Sequence, residues 1–295
     1  MYLIKLKLTL SFLVVCSFVH SQVSSHQEYM DSLIKEIKNT PIDSTRVALL
    51  DKIGYDYSTL NPDEGLAYAR KANKLAKELG LKKQEASSLA VIAINLAAKS
   101  EFEKAIENNI RAIKIYSSIE DSLAVAAVNS NQSQIYLKIG NYVKALDCNF
   151  SALKIYSQNN LHRNRGIVLE NIGNIYYELK DYSKSNKNYR EALVIYKKHA
   201  SKSDVARCLG NMSRVSMDKG LFHEALDYLY EAVKINDLNS NYSSKLINLT
   251  NIGNVYFRQK KYEKALFYFK ESLKISESLN QKDYLAINKG NIGET

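Results

Sequence analysis

Apolar and small residues recur along this chain at two alternating helical spacings. Ala145, Asn149, Ala152, Leu153 and Tyr156 follow one another at intervals of four, three, one and three, which places them on one face of a helix. About twenty residues later, Ile172, Gly173 and Tyr176 mark a corresponding face on a second helix. A glycine inside a helix costs about 0.8 to 1 kcal/mol relative to alanine, so Gly173, with Gly253 in the equivalent place, predicts a close helix crossing that offsets the loss. Only two prolines occur, Pro41 and Pro62, and none interrupts the 233 residues from Asp63 to Thr295. Proline breaks a helix interior at about 3 kcal/mol. That proline-free length, rich in Ala, Leu, Lys, Glu and Ile, predicts an all-helical chain.

The two-helix pattern returns every 40 residues. Asn131, Asn171, Asn211, Asn251 and Asn291 share one position, and two residues on stand the small side chains Ala93, Ser133, Gly173, Ser213, Gly253 and Gly293. An aromatic follows at Phe102, Tyr142, Tyr182, Phe222 and Tyr262. Small residues then recur at Ala105, Ala145, Ser185, Ala225 and Ala265, and again at Ala112, Ala152, Ala192, Ala232 and Ser272, with Ile115, Ile155, Ile195, Ile235 and Ile275 beyond them. Self-similarity at a fixed period of this size is the mark of stacked helical units. Gly140 and Gly220 fall where first helices end and predict positive φ there; Lys180 and Lys260 hold the same position, so the turn admits a side chain. Tyr116, Tyr156 and Tyr196, near the ends of second helices, are expected to pack between units.

These residues resemble the tetratricopeptide repeat. The fullest copy is Ile172-Gly173, Tyr176, Tyr182, Ser185, Tyr189, Ala192 and Leu193. The resemblance implies an all-α fold, a right-handed α-solenoid (superhelix) of stacked helix-turn-helix tetratricopeptide repeats. It covers residues 43–295, in units of about 43–80, 81–120, 121–160, 161–200, 201–240 and 241–280 with a partial seventh at 281–295. The period of 40 exceeds the family's 34, which implies helices almost a turn longer, and tryptophan is absent from the family's early aromatic position. In the first unit Asp43-Ser44 is expected to cap a helix ending near Leu60 and Pro62 to open the next, while Gly54 sits one place late and predicts a shifted turn. Residues 22–42 are read as linker and capping helix, through Met30, Leu33, Ile34 and Ile37.

The start of the chain has its own logic. Lys5 and Lys7 precede an apolar run of 12 residues from Leu8 to Val19, and Val19-His20-Ser21 offers small residues at the cleavage positions before Gln22. This predicts a signal peptide over residues 1–21; a lipid anchor at Cys16 is the rival reading. The run falls short of the roughly 20 residues a membrane-spanning helix needs, and no later segment is long and apolar enough. The formal charge of +10 includes Lys5 and Lys7. Elsewhere lysines alternate with acids, as in Lys35-Glu36-Ile37-Lys38, the pattern of solvated helix faces. A nucleic-acid partner would need a continuous basic stripe, and Lys138, Glu178, Asp218 and Arg258 at one repeated position break it.

Catalytic and metal-binding constellations are missing from the sequence: the five histidines include no pair at ligand spacing, and Cys148 and Cys208 stand 60 residues apart as expected buried thiols. Neither an enzyme activity nor a cofactor is expected. The polar feature that remains is a row of amides. Asn171 with Asn174, and Asn251 with Asn254, lie three apart on one helix face, and Asn131 with Gln134 and Asn211 with Arg214 hold the same positions. Tetratricopeptide arrays bind extended peptides along the concave surface lined by first helices, and Asn174 and Asn254 match an asparagine that contributes to that surface. An amide both donates and accepts, so such a row can clasp a peptide backbone. The lysine of the family's carboxylate clamp is replaced by Ser130, Glu170, Gly210, Thr250 and Gly290, which argues against a carboxylate-tail receptor. The competing reading is that the amides bond from one first helix to the next. Taken together, the sequence predicts an exported, non-catalytic scaffold for a protein or extended peptide, on the periplasmic or outer-surface side of a bacterial membrane. It resembles the front part of a longer signalling protein of the histidine kinase or transcriptional regulator type, with the open seventh unit read as a sign of continuation. A free-standing periplasmic scaffold is the alternative.

Overall fold

The computed structural model describes residues 28–295; the expected signal peptide and Cys16 lie outside the described residues. Among these there are fourteen α-helices and no strand. Helix α1 covers residues 28–39, followed by α2 (Ser44–Asp56), a 3-10 turn (Tyr57–Thr59), α3 (Pro62–Glu78), α4 (Lys82–Ala98), α5 (Phe102–Ser118), α6 (Ser122–Lys138), α7 (Tyr142–Gln158) and α8 (His162–Glu178). Then come α9 (Tyr182–His199), α10 (Lys202–Asp218), α11 (Phe222–Leu238), α12 (Tyr242–Arg258), α13 (Tyr262–Ser278) and α14 (Lys282–Glu294). The helices gather into two compact units, Tyr29–Asp181 and Tyr182–Thr295.

The period of 40 has a local cause. Helices α3 to α8 and α10 to α13 are each 17 residues long. Three residues separate most neighbours, and the middle one is left-handed: φ is 74° at Gly140 and 75° at Gly220, and also 60° at Lys180 and 58° at Lys260. Around Gly140 the chain closes two bonds typical of a helix C-terminus, Gly140 N–H to the Leu137 carbonyl at 3.1 Å and Asn141 N–H to the Tyr136 carbonyl at 2.8 Å. Lys180 and Asp181 repeat both at 2.9 Å. These bonds offset the strain of a left-handed side chain. The next helix is then capped, as where the side chain of Asp121 accepts from Ala124 N–H at 3.0 Å.

Within each unit a first helix packs antiparallel on its own second helix, and that second helix on the following first helix: α4 on α5 and α5 on α6 in the N-terminal unit, α12 on α13 and α13 on α14 in the C-terminal unit. The repeated alanines form the contact. Ala105, Ala112, Ala145, Ala152, Ala225, Ala232 and Ala265 are wholly buried, so helices meet with little more than a methyl group between them. At Gly253 even that is excluded, since an added Cβ would lie 2.4 Å from the ring of buried Phe269 on α13. Tyr116 and Tyr156 are buried, and Tyr156 of α7 packs with Ala126 of α6 and with Val168 and Ile172 of α8, the inter-unit role expected for it. Among the described residues neither Cys148 nor Cys208 is in a disulfide: Cys208 is buried, and burial pushes the half-buried Cys148 thiol up to about 11.

The first repeat departs in a defined way. Buried Val47, Leu50, Ile53 and Gly54 of α2 each stand one place later than Ala86, Leu89, Ile92 and Ala93 of α4 under the 40-residue offset. The Tyr57–Thr59 3-10 turn replaces the left-handed residue and restores register at Pro62. Asp43 caps α2 through Thr45 N–H at 2.8 Å, and the helix ends at Asp56 rather than near Leu60. In α1, Met30 and Leu33 are buried and Ile34 and Ile37 pack against the same cluster.

A polar seam runs beside the alanine contacts. In the C-terminal unit the Thr250 hydroxyl meets that of Ser272 at 2.7 Å and donates to Asn288 Oδ1 at 3.1 Å, while Asn288 Nδ2 donates to Ser272 at 3.0 Å. In the N-terminal unit the shifted α2 brings Asp51 to this seam beside Ser88 and Ser87 of α4. Burial pushes its carboxyl from the ordinary 3.8 up to about 7, against the opposing pull of those serines, and Oδ1 has no hydrogen-bond partner. A carboxyl whose folded pKa is raised contributes stability that is full below the unfolded value near 4 and is lost as pH rises through about 7. The slope is about 1.4 kcal/mol per pH unit in that window. Asp51→Asn is therefore expected to stabilise the chain more at pH 8 than at pH 5 in urea melts; an equal effect at both pH values contradicts the assignment.

Candidate functional site

The face of the first helices that is not packed on second helices carries the amide row. Its helical logic is that positions 131, 134 and 138 of α6, with their equivalents 40 residues on, lie on one side, with Ile135 beside them and buried Gln132, Ser133 and Tyr136 turned away. Asn131 is exposed, and Gln134, Asn171, Asn174, Asn211, Arg214, Asn251 and Asn254 are half-buried. Amide groups at such positions reach solvent on one side and the neighbouring first helix on the other.

Two kinds of behaviour result. Asn171 Nδ2 on α8 lies 3.4 Å from the Ser130 hydroxyl on α6, a long bond of the stack-joining type. Asn174, Asn211 and Arg214 also have partners. Among the described residues, by contrast, Gln134 Nε2 is buried with no acceptor, and the side chains of Asn131, Asn251 and Asn254 make no hydrogen bond. Lower on this face the Arg258 guanidinium donates to the Asp218 carboxylate at 3.0 Å, so the acid and base that interrupt the basic stripe pair across α10 and α12. The position matching the family's clamp lysine is unsuited to a groove cation: Glu170 and Thr250 there are buried, and an added Cβ at Gly210 would lie 3.1 Å from Asn248 Oδ1.

In the N-terminal unit this face holds a depression of about 320 Å³. Asn131, Gln134, Ile135 and Lys138 of α6 form one wall, and Tyr55, Ser58 and Thr59 form the opposite wall. Ile94, Ala97 and Ala98 of α4 make its floor, and buried Asn109 of α5 closes it below. Asn131 and Gln134 are thus brought together as expected from their spacing. Tyr55, Ala97, Ala98 and Asn109 were not singled out in the sequence, although the Ala97-Ala98 pair breaks a repeated bulky position and was visible there. Among the described residues no group of three or more His, Cys, Asp or Glu side chains is placed to hold a metal ion.

An unpaired buried donor and a satisfied buried network have opposite energetics. Gln134→Leu is expected to leave stability unchanged or raise it by up to about 1 kcal/mol, whereas Asn288→Leu, which strips partners from Thr250 and Ser272, should lower it by about 1–3 kcal/mol. Chemical denaturation of the two variants beside the parent chain measures both.

Comparison with known proteins follows the geometry. The model of the family described as Tetratricopeptide repeat matches residues 124–198 and 204–278. No curated protein matches the sequence. Among solved structures, a Rap protein complexed with Competence and Sporulation Factor is similar with a TM-score of 0.71 and 15% identity, covering 94% of this chain and 80% of that one. BtubC (BKLC) from P. vanneervenii gives 0.63 and 18%, covering 75% of this chain and 92% of that one. A Signal Transduction ATPase with Numerous Domains with a tetratricopeptide repeat sensor, from Pyrococcus horikoshii, gives 0.66 and 20%, covering 98% of this chain and 46% of that one. At these identities the likeness is one of fold.

Proposed function

We propose, because this chain belongs to the tetratricopeptide repeat family, that it is a non-catalytic interaction scaffold whose first-helix face receives an extended segment of a partner protein or peptide. The observation that carries this reading is the set of amides on that face that the chain itself leaves unpaired, above all the buried Nε2 of Gln134. A buried donor without an acceptor is destabilising, and an acceptor brought by a ligand would relieve that penalty. The Rap protein, of similar architecture, was solved in complex with Competence and Sporulation Factor, which supports a binding role for such an array. A pool of fluorescein-labelled randomised nonapeptides is the direct probe. Anisotropy should show saturable binding to the full chain, weakened about tenfold by Asn131→Ala combined with Gln134→Ala, both in the N-terminal unit, with little change in melting temperature. Binding that ignores the double substitution, or a large loss of stability with it, turns the row into packing.

The leader-like residues 1–21 support export, and the array then serves as the sensing portion of a longer membrane signalling protein of the histidine kinase or transcriptional regulator type. Among the described residues no helix is long and apolar enough to cross a membrane. Alkaline phosphatase, which needs an oxidising compartment, should be active in bacteria when fused behind residues 1–42 and inactive when residues 1–21 are removed. Equal activity with and without them contradicts export.

A further inference from the structure

We infer that the depression among α2, α4 and α6 is a receptor for one apolar side chain of the bound peptide, of leucine, methionine or phenylalanine size, whose neighbouring backbone carbonyl accepts a hydrogen bond from Gln134 Nε2. This rests on the peptide-binding reading above and adds the chemistry that selects the ligand.

Two residues enlarge the cavity. At the end of each later first helix the repeat places a bulky pair: Leu137-Lys138, Tyr177-Glu178, Met217-Asp218 and Phe257-Arg258. In α4 the same two positions hold Ala97 and Ala98. Two methyl groups stand where larger side chains recur, and they widen the depression of about 320 Å³. That is the lower end of the roughly 300–1,000 Å³ of ligand pockets, suited to one side chain and its flanking backbone. Ile94 and Ile135 make the interior apolar, and the partly exposed Tyr55 ring adds a wall. An apolar group seated there loses its hydration. Nε2 of Gln134, within this lining and without an acceptor in the chain, supplies a directional contact. Lys138 at the same wall disfavours a cationic side chain.

Two pools of labelled nonapeptides test this, identical and polar except for the central residue, which is Leu, Met or Phe in one and Gly or Ser in the other. Anisotropy with the full chain should give at least tenfold tighter binding of the apolar-centred pool. Ala98→Lys, which installs the residue α6 carries at the same position, should abolish that preference while leaving the polar-centred pool's affinity unchanged; Ala97→Leu serves equally if the first variant does not fold. Gln134→Leu should weaken both pools. Equal binding of the two pools, or a preference that survives filling the notch, overturns the side-chain receptor and leaves the peptide-binding face standing. Binding of neither pool overturns both.

Discussion

Close approach between helices is the constraint on which the rest depends. Wholly buried alanines or serines at two positions of each second helix from α5 onward bring neighbouring backbones together, and an interior packed this tightly accepts neither extra volume nor a vacancy without penalty. Gly253 is the limiting case, with the Phe269 ring occupying the space its side chain would need. Once that contact recurs at a fixed interval, helix length, turn length and the direction of each remaining face are determined. The amide row lies on the face left over.

The same closeness explains the polar seam. Where two successive first helices meet the second helix between them, side chains too short to reach solvent must satisfy one another, as Thr250, Ser272 and Asn288 do. Asp51 enters an equivalent place beside Ser87, Ser88 and Tyr116 and holds its proton to near neutral pH. Gln134 lies on the other side of this boundary, at the edge of an open space instead of a filled one.

Much of this fold was legible in the sequence because it is periodic: the alanines of the second helices and the small residue of each first helix from α4 to α12 stand in register with their burial, while the aromatic that opens each second helix is half-buried or, at Tyr262, exposed. The turns were legible at Gly140 and Gly220 and half-hidden at Lys180 and Lys260, since a left-handed lysine leaves no compositional trace beyond its alignment with glycine. The candidate site was less legible. Asparagines at one repeated position differ in role according to what the adjacent helix offers, so Asn171 reaches Ser130 while Asn131 makes no such bond. The notch was written as two alanines in a helix already full of them, and only the bulk of their equivalents gives them meaning.

The short 3-10 turn after α2 has a wider consequence. One residue is missing from the first repeat between Gly54 and Gly65 relative to the interval between Ala93 and Ala105, yet α3 and everything after it keep phase. Each hairpin joint therefore acts as a mechanical buffer, absorbing a length error before it reaches the next rod. An array assembled in this manner can gain, lose or exchange modules by recombination at its joints, so its recognition surface is free to diversify while the stacking is inherited intact.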